Sequence, residues 1–310
     1  FTNVMPSTLT LHLVLLNVVN VVQTLRDQKV MPLISNDIND ETVPGSEMAS
    51  HLELRETRTP VDDVDVKQLE QSFRELEVTE ELLARAKEAK ELNGKSYCSN
   101  GTWHLSGDFK VTQQELVISK PCNITADRVT LFLEQSLYFY HTVHFHGDLA
   151  VVAVRQPLDE ACVVLGHDGF VEPGAVLRLA GCQNYYASGG AMSVSGDLDA
   201  RGELHIRDSW AKRGGAIFVW ENFTQSSGTL TITNTSAEKR GGGICVQRGS
   251  FTQSDGNLTI TDASAKSDGG AMWIGGNLTM KKNKLFIRHA TAKIGGGIRV
   301  GGHVSFEDAA

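Results

Sequence analysis

His144 and His146 stand two residues apart in a β-prone run, so both rings would leave one side of a strand, where they could ligate a metal. His141 is near but out of phase, and no third ligand is evident, so surface or turn histidines are the stronger reading. Gly166-His-Asp-Gly169 places a histidine beside an acid in a turn. Polysaccharide cleavage needs more: clustered acids, or an Arg or Lys base beside carboxylates that bind calcium. Val171-Glu-Pro-Gly-Ala-Val-Leu177 has the form of one hexapeptide rung and reads as a turn and a strand, and Gly-Gly-x-Gly-x-Asp calcium motifs are absent. No catalytic residue, metal ligand or cofactor-binding residue is assigned from these patterns.

The five cysteines contain no C-x-x-C pair, which disfavours a zinc ribbon or a thioredoxin-type site. Cys98 and Cys122 are 24 residues apart and Cys162 and Cys182 are 20 apart, so each pair could bridge neighbouring turns of a repeat in an oxidising compartment. Reduced, buried thiols are the alternative, and Cys245 has no evident partner. Six asparagines open N-x-S/T sequons: Asn100, Asn123, Asn222, Asn234, Asn257 and Asn277. They suit a secreted glycoprotein, although a Thr-rich repeat also generates sequons by copying. The net charge of −8 argues against a nucleic-acid partner, which calls for a basic stripe.

The elements that would position these groups follow from an internal repeat. Gly189-Gly-Ala-Met192 recurs as Gly214-Gly-Ala-Ile217, Gly241-Gly-Gly-Ile244, Gly269-Gly-Ala-Met272 and Gly295-Gly-Gly-Ile298, at intervals of 25, 27, 28 and 26. An L-x-I element recurs at Leu204, Leu230, Leu258 and Leu285, with Asp208, Asn234, Asp262 or His289 two residues after each Ile. Phe223-Thr-Gln-Ser is echoed at Phe251-Thr-Gln-Ser. Period-two alternation, as in Ile217 and Val219 about Phe218, predicts strands with one buried face. About 27 residues then hold three short strands and three turns, one coil of a parallel β-helix. Leu177 and Leu149 extend the pattern backwards, for about seven coils over 95–310. Paired glycines permit positive φ and close approach of coils. The acid or amide after each L-x-I suits a turn in which the side chain bonds local backbone. The outward residues of the glycine-element strand form the column Ser193, Phe218, Cys245, Trp273 and Arg299, with Trp220 in the next outward place. Phe218, Trp220, Trp273 and Arg299 are therefore the candidate surface-binding ladder, unless a loop or the preceding helix covers them.

Upstream, residues 1–60 read as a poorly ordered segment. The apolar stretch 9–22 gives a candidate signal peptide over 5–25, but it lacks a basic lead-in and a clear cleavage site. Residues 61–94 predict an amphipathic helix, on Val66, Leu69, Phe73 and Leu76 and then Leu82, Leu83, Ala86 and Ala89. It needs a partner surface for its apolar stripe and would cap the solenoid or dock on another chain. No apolar run is long enough to read as a membrane span. An open β-helix end needs a cap, and none follows Phe306, so further repeats or domains of the same full-length chain are expected.

The run 230–244, Leu-Thr-Ile-Thr-Asn-Thr-Ser-Ala-Glu-Lys-Arg-Gly-Gly-Gly-Ile, resembles the G-G-A-I repeats of polymorphic outer-membrane proteins. The resemblance covers roughly 177–300. It implies an all-β, right-handed parallel β-helix of the pectin-lyase-like kind, and a role in adhesion. The family's F-x-x-N companion reads Phe-Thr-Gln-Ser here, and its membrane barrel is absent from this chain. Gly166-His-Asp-Gly169 is similar to the G-H-G of polygalacturonases, but the N-T-D, D-D and R-I-K signatures of pectin-active enzymes are missing. The expectation is a non-catalytic extracellular or cell-surface scaffold that binds protein or glycan. A polysaccharide lyase or hydrolase on the same superfold is the first alternative, since fold does not fix function. An intracellular interaction scaffold is the second, to be preferred if the cysteines prove reduced and the sequons unmodified.

Overall fold

A computed structural model describes residues 79–92, 98, 100–112, 116–281 and 284–307. The candidate signal peptide, the expected linker and the positions Val66 to Leu76 of the expected helix lie outside the described residues. The described chain is a parallel β-solenoid of about seven turns. Every strand pairing is parallel, in two sheets of 16 and 8 strands.

The repeat dictates this form coil by coil. In the coil 214–240, Ile217–Val219 joins the 8-stranded sheet, while Phe223–Gln225 and Thr229–Arg240 join the larger one. Equivalent residues stack in register. Met192, Ile217, Ile244, Met272 and Ile298 form one interior column. Leu149, Leu177, Leu204, Leu230, Leu258 and Leu285 form another. Most of these side chains are completely buried, and each such burial contributes about 1.5–3 kcal/mol before backbone ordering is set against it. A third column is mixed. Phe223 and Phe251 meet edge to face at 5.1 Å, and beside them Gln225 and Gln253 stack wholly inside the core. Both glutamines donate to backbone carbonyls, of Asn257 and Gly256.

Two glycine roles are visible at one motif. Gly214 has φ +60, a left-handed conformation that favours glycine, and Gly215 lies against the next coil, where a Cβ would stand 2.1 Å from the Gly242 oxygen. In the repeat coils, the bend within the long strands uses Asp208, Asn234 and Asp262, and His289 takes the same place just after Lys284–Arg288; all four have φ between 50 and 52. Short polar side chains tolerate this region best. Their side chains bond in two pairs across adjacent coils. Asn234 Nδ2 donates to Asp208 Oδ1 at 2.5 Å, and His289 Nδ1 lies 3.0 Å from Asp262 Oδ1.

Of the helix expected over 61–94, the described residues form Glu80–Glu88, opened by Thr79, whose Oγ1 accepts from the Leu82 amide; it does not run to 94, because Lys90–Glu91 pairs as a strand with Phe109 and Lys110. Leu82 and Ala86 pack on the flank of the solenoid against Phe132, Ala150, Val152 and Ala180. Arg85 ties the helix to Asp108 at 2.9 Å and to Thr130. The chain then enters the main core at Leu92. No helix among the described residues is long and apolar enough to cross a membrane.

Candidate functional site

The outward column Ser193, Phe218, Cys245, Trp273 and Arg299 exists in register on the 8-stranded sheet. It is not an open aromatic platform. Phe218 is only 5 % exposed and Cys245 is fully buried. The cover is neither a loop nor the helix but a set of arginines. The Arg213 guanidinium lies 5.2 Å from the Phe218 ring centre, Arg240 4.9 Å from Trp273, and Arg248 4.8 Å from Trp220. Arg213 also donates to Ser188 and, across the strand, to Gln247. Arg240 and Arg299 both pair with Asp268. The column was legible from the repeat. The arginine cover was not, because only Arg213 and Arg240 precede a Gly-Gly, the equivalent residues elsewhere being Ser188, Asp268 and Ile294, and Arg248 lies in a different turn.

A second outward column runs along the larger sheet through Thr102, Asn123, His144, Phe170, Asp199, Thr224, Thr252, Thr279 and Ser305. Its centre is a cluster that the sequence did not reveal. His144 stacks on Phe170 at 4.5 Å, with planes 7° apart, and Arg201 lies over the same ring. Glu172 Oε1 is 2.6 Å from His144 Nδ1, and its other oxygen is 3.5 Å from Arg201. Arg201 also holds Asp199 at 2.7 Å, and Asp199 accepts from Ser226. The hydrogen bond and charge of Asp199, then the charge of Glu172, raise the Arg201 pKa. Both carboxylates are thus occupied by one guanidinium. His146 stacks beside His144 at 6.4 Å, while His141 stacks on His167 of the turn 166–169. No group of three metal-ligating side chains occurs among the described residues.

Cys98 is bonded to Cys122 and Cys162 to Cys182, with Cα atoms 5.6 and 5.7 Å apart. Cys245 remains free. All six sequon asparagines are exposed. Three have structural work as well. Asn234 occupies the left-handed bend. Asn222 and Asn277 belong to a ladder in which each turn's side chain accepts the equivalent amide of the next coil. Asp168 accepts from Asp197, Asp197 from Asn222, Asn222 from Ser250, Ser250 from Asn277, and Asn277 from His303. A polar residue eight or nine places after each Gly-Gly was the available signal. Compared with known protein families, curated proteins and solved structures, the chain matches none.

Proposed function

We propose that this protein is a non-catalytic extracellular or cell-surface β-helix of the adhesion kind, whose outer faces bind protein or glycan. The observation that carries the reading is the uninterrupted outward column from Thr102 to Ser305, an ordered array of aromatic, hydroxyl and charged groups repeated at the strand spacing of about 4.8 Å. Such an array suits an extended ligand lying along the solenoid axis. The two disulfides and the exposure of all six sequons support a secreted protein. The similarity to polymorphic outer-membrane protein repeats, and with it a right-handed coil, points the same way. Among the described residues, the cluster around Glu172 and Asp199 has both acids held by Arg201, which favours recognition over cleavage.

The test is to express the chain in a secretory host and incubate it with a panel of polysaccharides and with intact cell surfaces. Saturable binding without release of shortened or unsaturated sugars is expected. Turnover of any polysaccharide would overturn the reading in favour of an enzyme.

A further inference from the structure

The 8-stranded face differs from the rest of this acidic chain in its charge. Arg213, Arg240, Arg248 and Arg299 lie over or beside its aromatic column. The segments that lead into it, strand ends at Lys212 and Lys239 and bends at Lys266 and Lys293, carry one lysine per coil, the last three exposed. Against these eight cations stand Glu221, Glu238 and Asp268, a net of plus five on a chain whose total is −8. Asp268 is shared by Arg240 and Arg299. Among the described residues, neither Arg213 nor Arg248 has a carboxylate at ion-pair distance; their partners are an aromatic ring and, for Arg213, two neutral oxygens.

Arg213 and Arg240 are direct neighbours in register on adjacent coils. Like charges placed opposite one another destabilise a sheet; Asp268, the next residue in the same column, offsets this for Arg240, whereas Arg213 has no acid at ion-pair distance among the described residues. The guanidinium groups are already oriented. Their contacts with the rings of Phe218, Trp220 and Trp273 restrict their motion, which reduces the entropy lost when they bind an oxyanion.

Resting on the adhesion reading, we infer that this face binds a linear sulfated polysaccharide laid along the solenoid axis. The lysines recur once per coil, at intervals of 27 residues, and an extended polysaccharide advances by close to one coil per sugar. Five net charges over four coils exceed one per sugar, which is the most that a simple polyuronate supplies; a sulfated chain supplies more. Sulfate esters also suit weakly hydrated guanidinium groups.

The test measures retention on heparin and dextran sulfate, and the salt dependence of binding, for the whole chain. The charge-reversed variant Lys239→Glu/Lys266→Glu/Lys293→Glu changes only exposed side chains, and Arg213→Gln/Arg248→Gln changes the stacked ones; thermal melts report folding of both. Wild type is expected to bind dextran sulfate, with at least tenfold loss in each variant and full rescue by arginine at the three lysine positions. Three results would overturn the inference: no binding of dextran sulfate, unchanged binding by the reversed variant, or equal affinity for polygalacturonate or duplex DNA. Failure here with retained binding to cells or neutral glycans leaves the adhesion reading standing, whereas cleavage of a glycan removes that reading itself.

Discussion

Gly215 lies so close beneath Gly242 that a Cβ on it would stand 2.1 Å from the Gly242 carbonyl oxygen and 2.5 Å from the Ser236 oxygen. Both obstacles are backbone, and backbone in a stacked sheet cannot step aside. Gly215→Ala should therefore destabilise by about 2 kcal/mol or more, as overpacking of a filled interior does. Gly296 provides the control, since a Cβ there meets nothing nearer than 3.5 Å. Denaturant unfolding of the two variants checks this; equal midpoints would contradict the close stacking of coils.

His205 faces outward in register with Thr231, yet is only 4 % exposed. Burial holds its imidazole below the ordinary value of 6.5, against the opposing pull of Glu203. As pH falls below 6.5, the unfolded chain takes up a proton that the folded chain refuses. Stability is then lost until the depressed folded value is reached. Glu160 acts in the opposite sense, because burial and then Asp159 raise its pKa, so protonation on acidification relieves a penalty. The comparison that isolates His205 is with His205→Thr, which installs the residue type of Thr231 and Thr259. Stability curves of the two proteins should run parallel above pH 7 and separate below 6.5, the wild type falling faster. Curves parallel throughout would show that the imidazole protonates freely in the fold.

The interior was legible because apolar periodicity is a property of the chain itself. Ile217, Ile244 and Met272 announce their column through spacing alone, and they stack in register. The outer clusters depend on which coil lies beside which, and on how far a side chain reaches. His144 and Arg201 are 57 residues apart and meet only through Phe170 and Glu172. The glycine motif had not begun at His144, and the apolar pattern that reaches back to Leu149 does not report which outward side chains meet. Phe218 and Trp273 were placed on the correct face, but ring exposure depended on the reach of Arg213 and Arg240. The bend residues were recognised as turn formers. Their bonding across coils instead of locally is a consequence of register.

Asn222 illustrates how a sequon and a structural position compete. Its Oδ1 accepts the Ser250 amide at 3.0 Å, and its Nδ2 donates to Asp197. Asn222→Ala should cost about 1 kcal/mol through the lost hydrogen bonds. Asn257 is exposed and its side chain makes no hydrogen bond among the described residues, so Asn257→Ala should leave stability within about 0.5 kcal/mol of wild type. Thermal melts of deglycosylated protein separate this effect from that of an attached sugar. A larger loss at Asn257 than at Asn222 would refute the ladder.

Cys245 lies between Phe218 and Trp273 with its thiol pushed up to about 12 by burial, although Arg213 and Arg240 pull it the other way. The thiolate is the reacting species, so a thiol held protonated and shielded by its neighbours is inert. The other four cysteines are paired. Native, unreduced protein should therefore take up no iodoacetamide at pH 8, unfolded unreduced protein one equivalent, and unfolded reduced protein all five. Intact-mass measurement distinguishes these states. Replacing Cys162 and Cys182 by Ala should lower stability by about 2–4 kcal/mol, since an open loop gives the unfolded chain more freedom. Three equivalents on unfolded, unreduced protein would mean that one bridge does not form, and the coils it joins would then depend on packing alone.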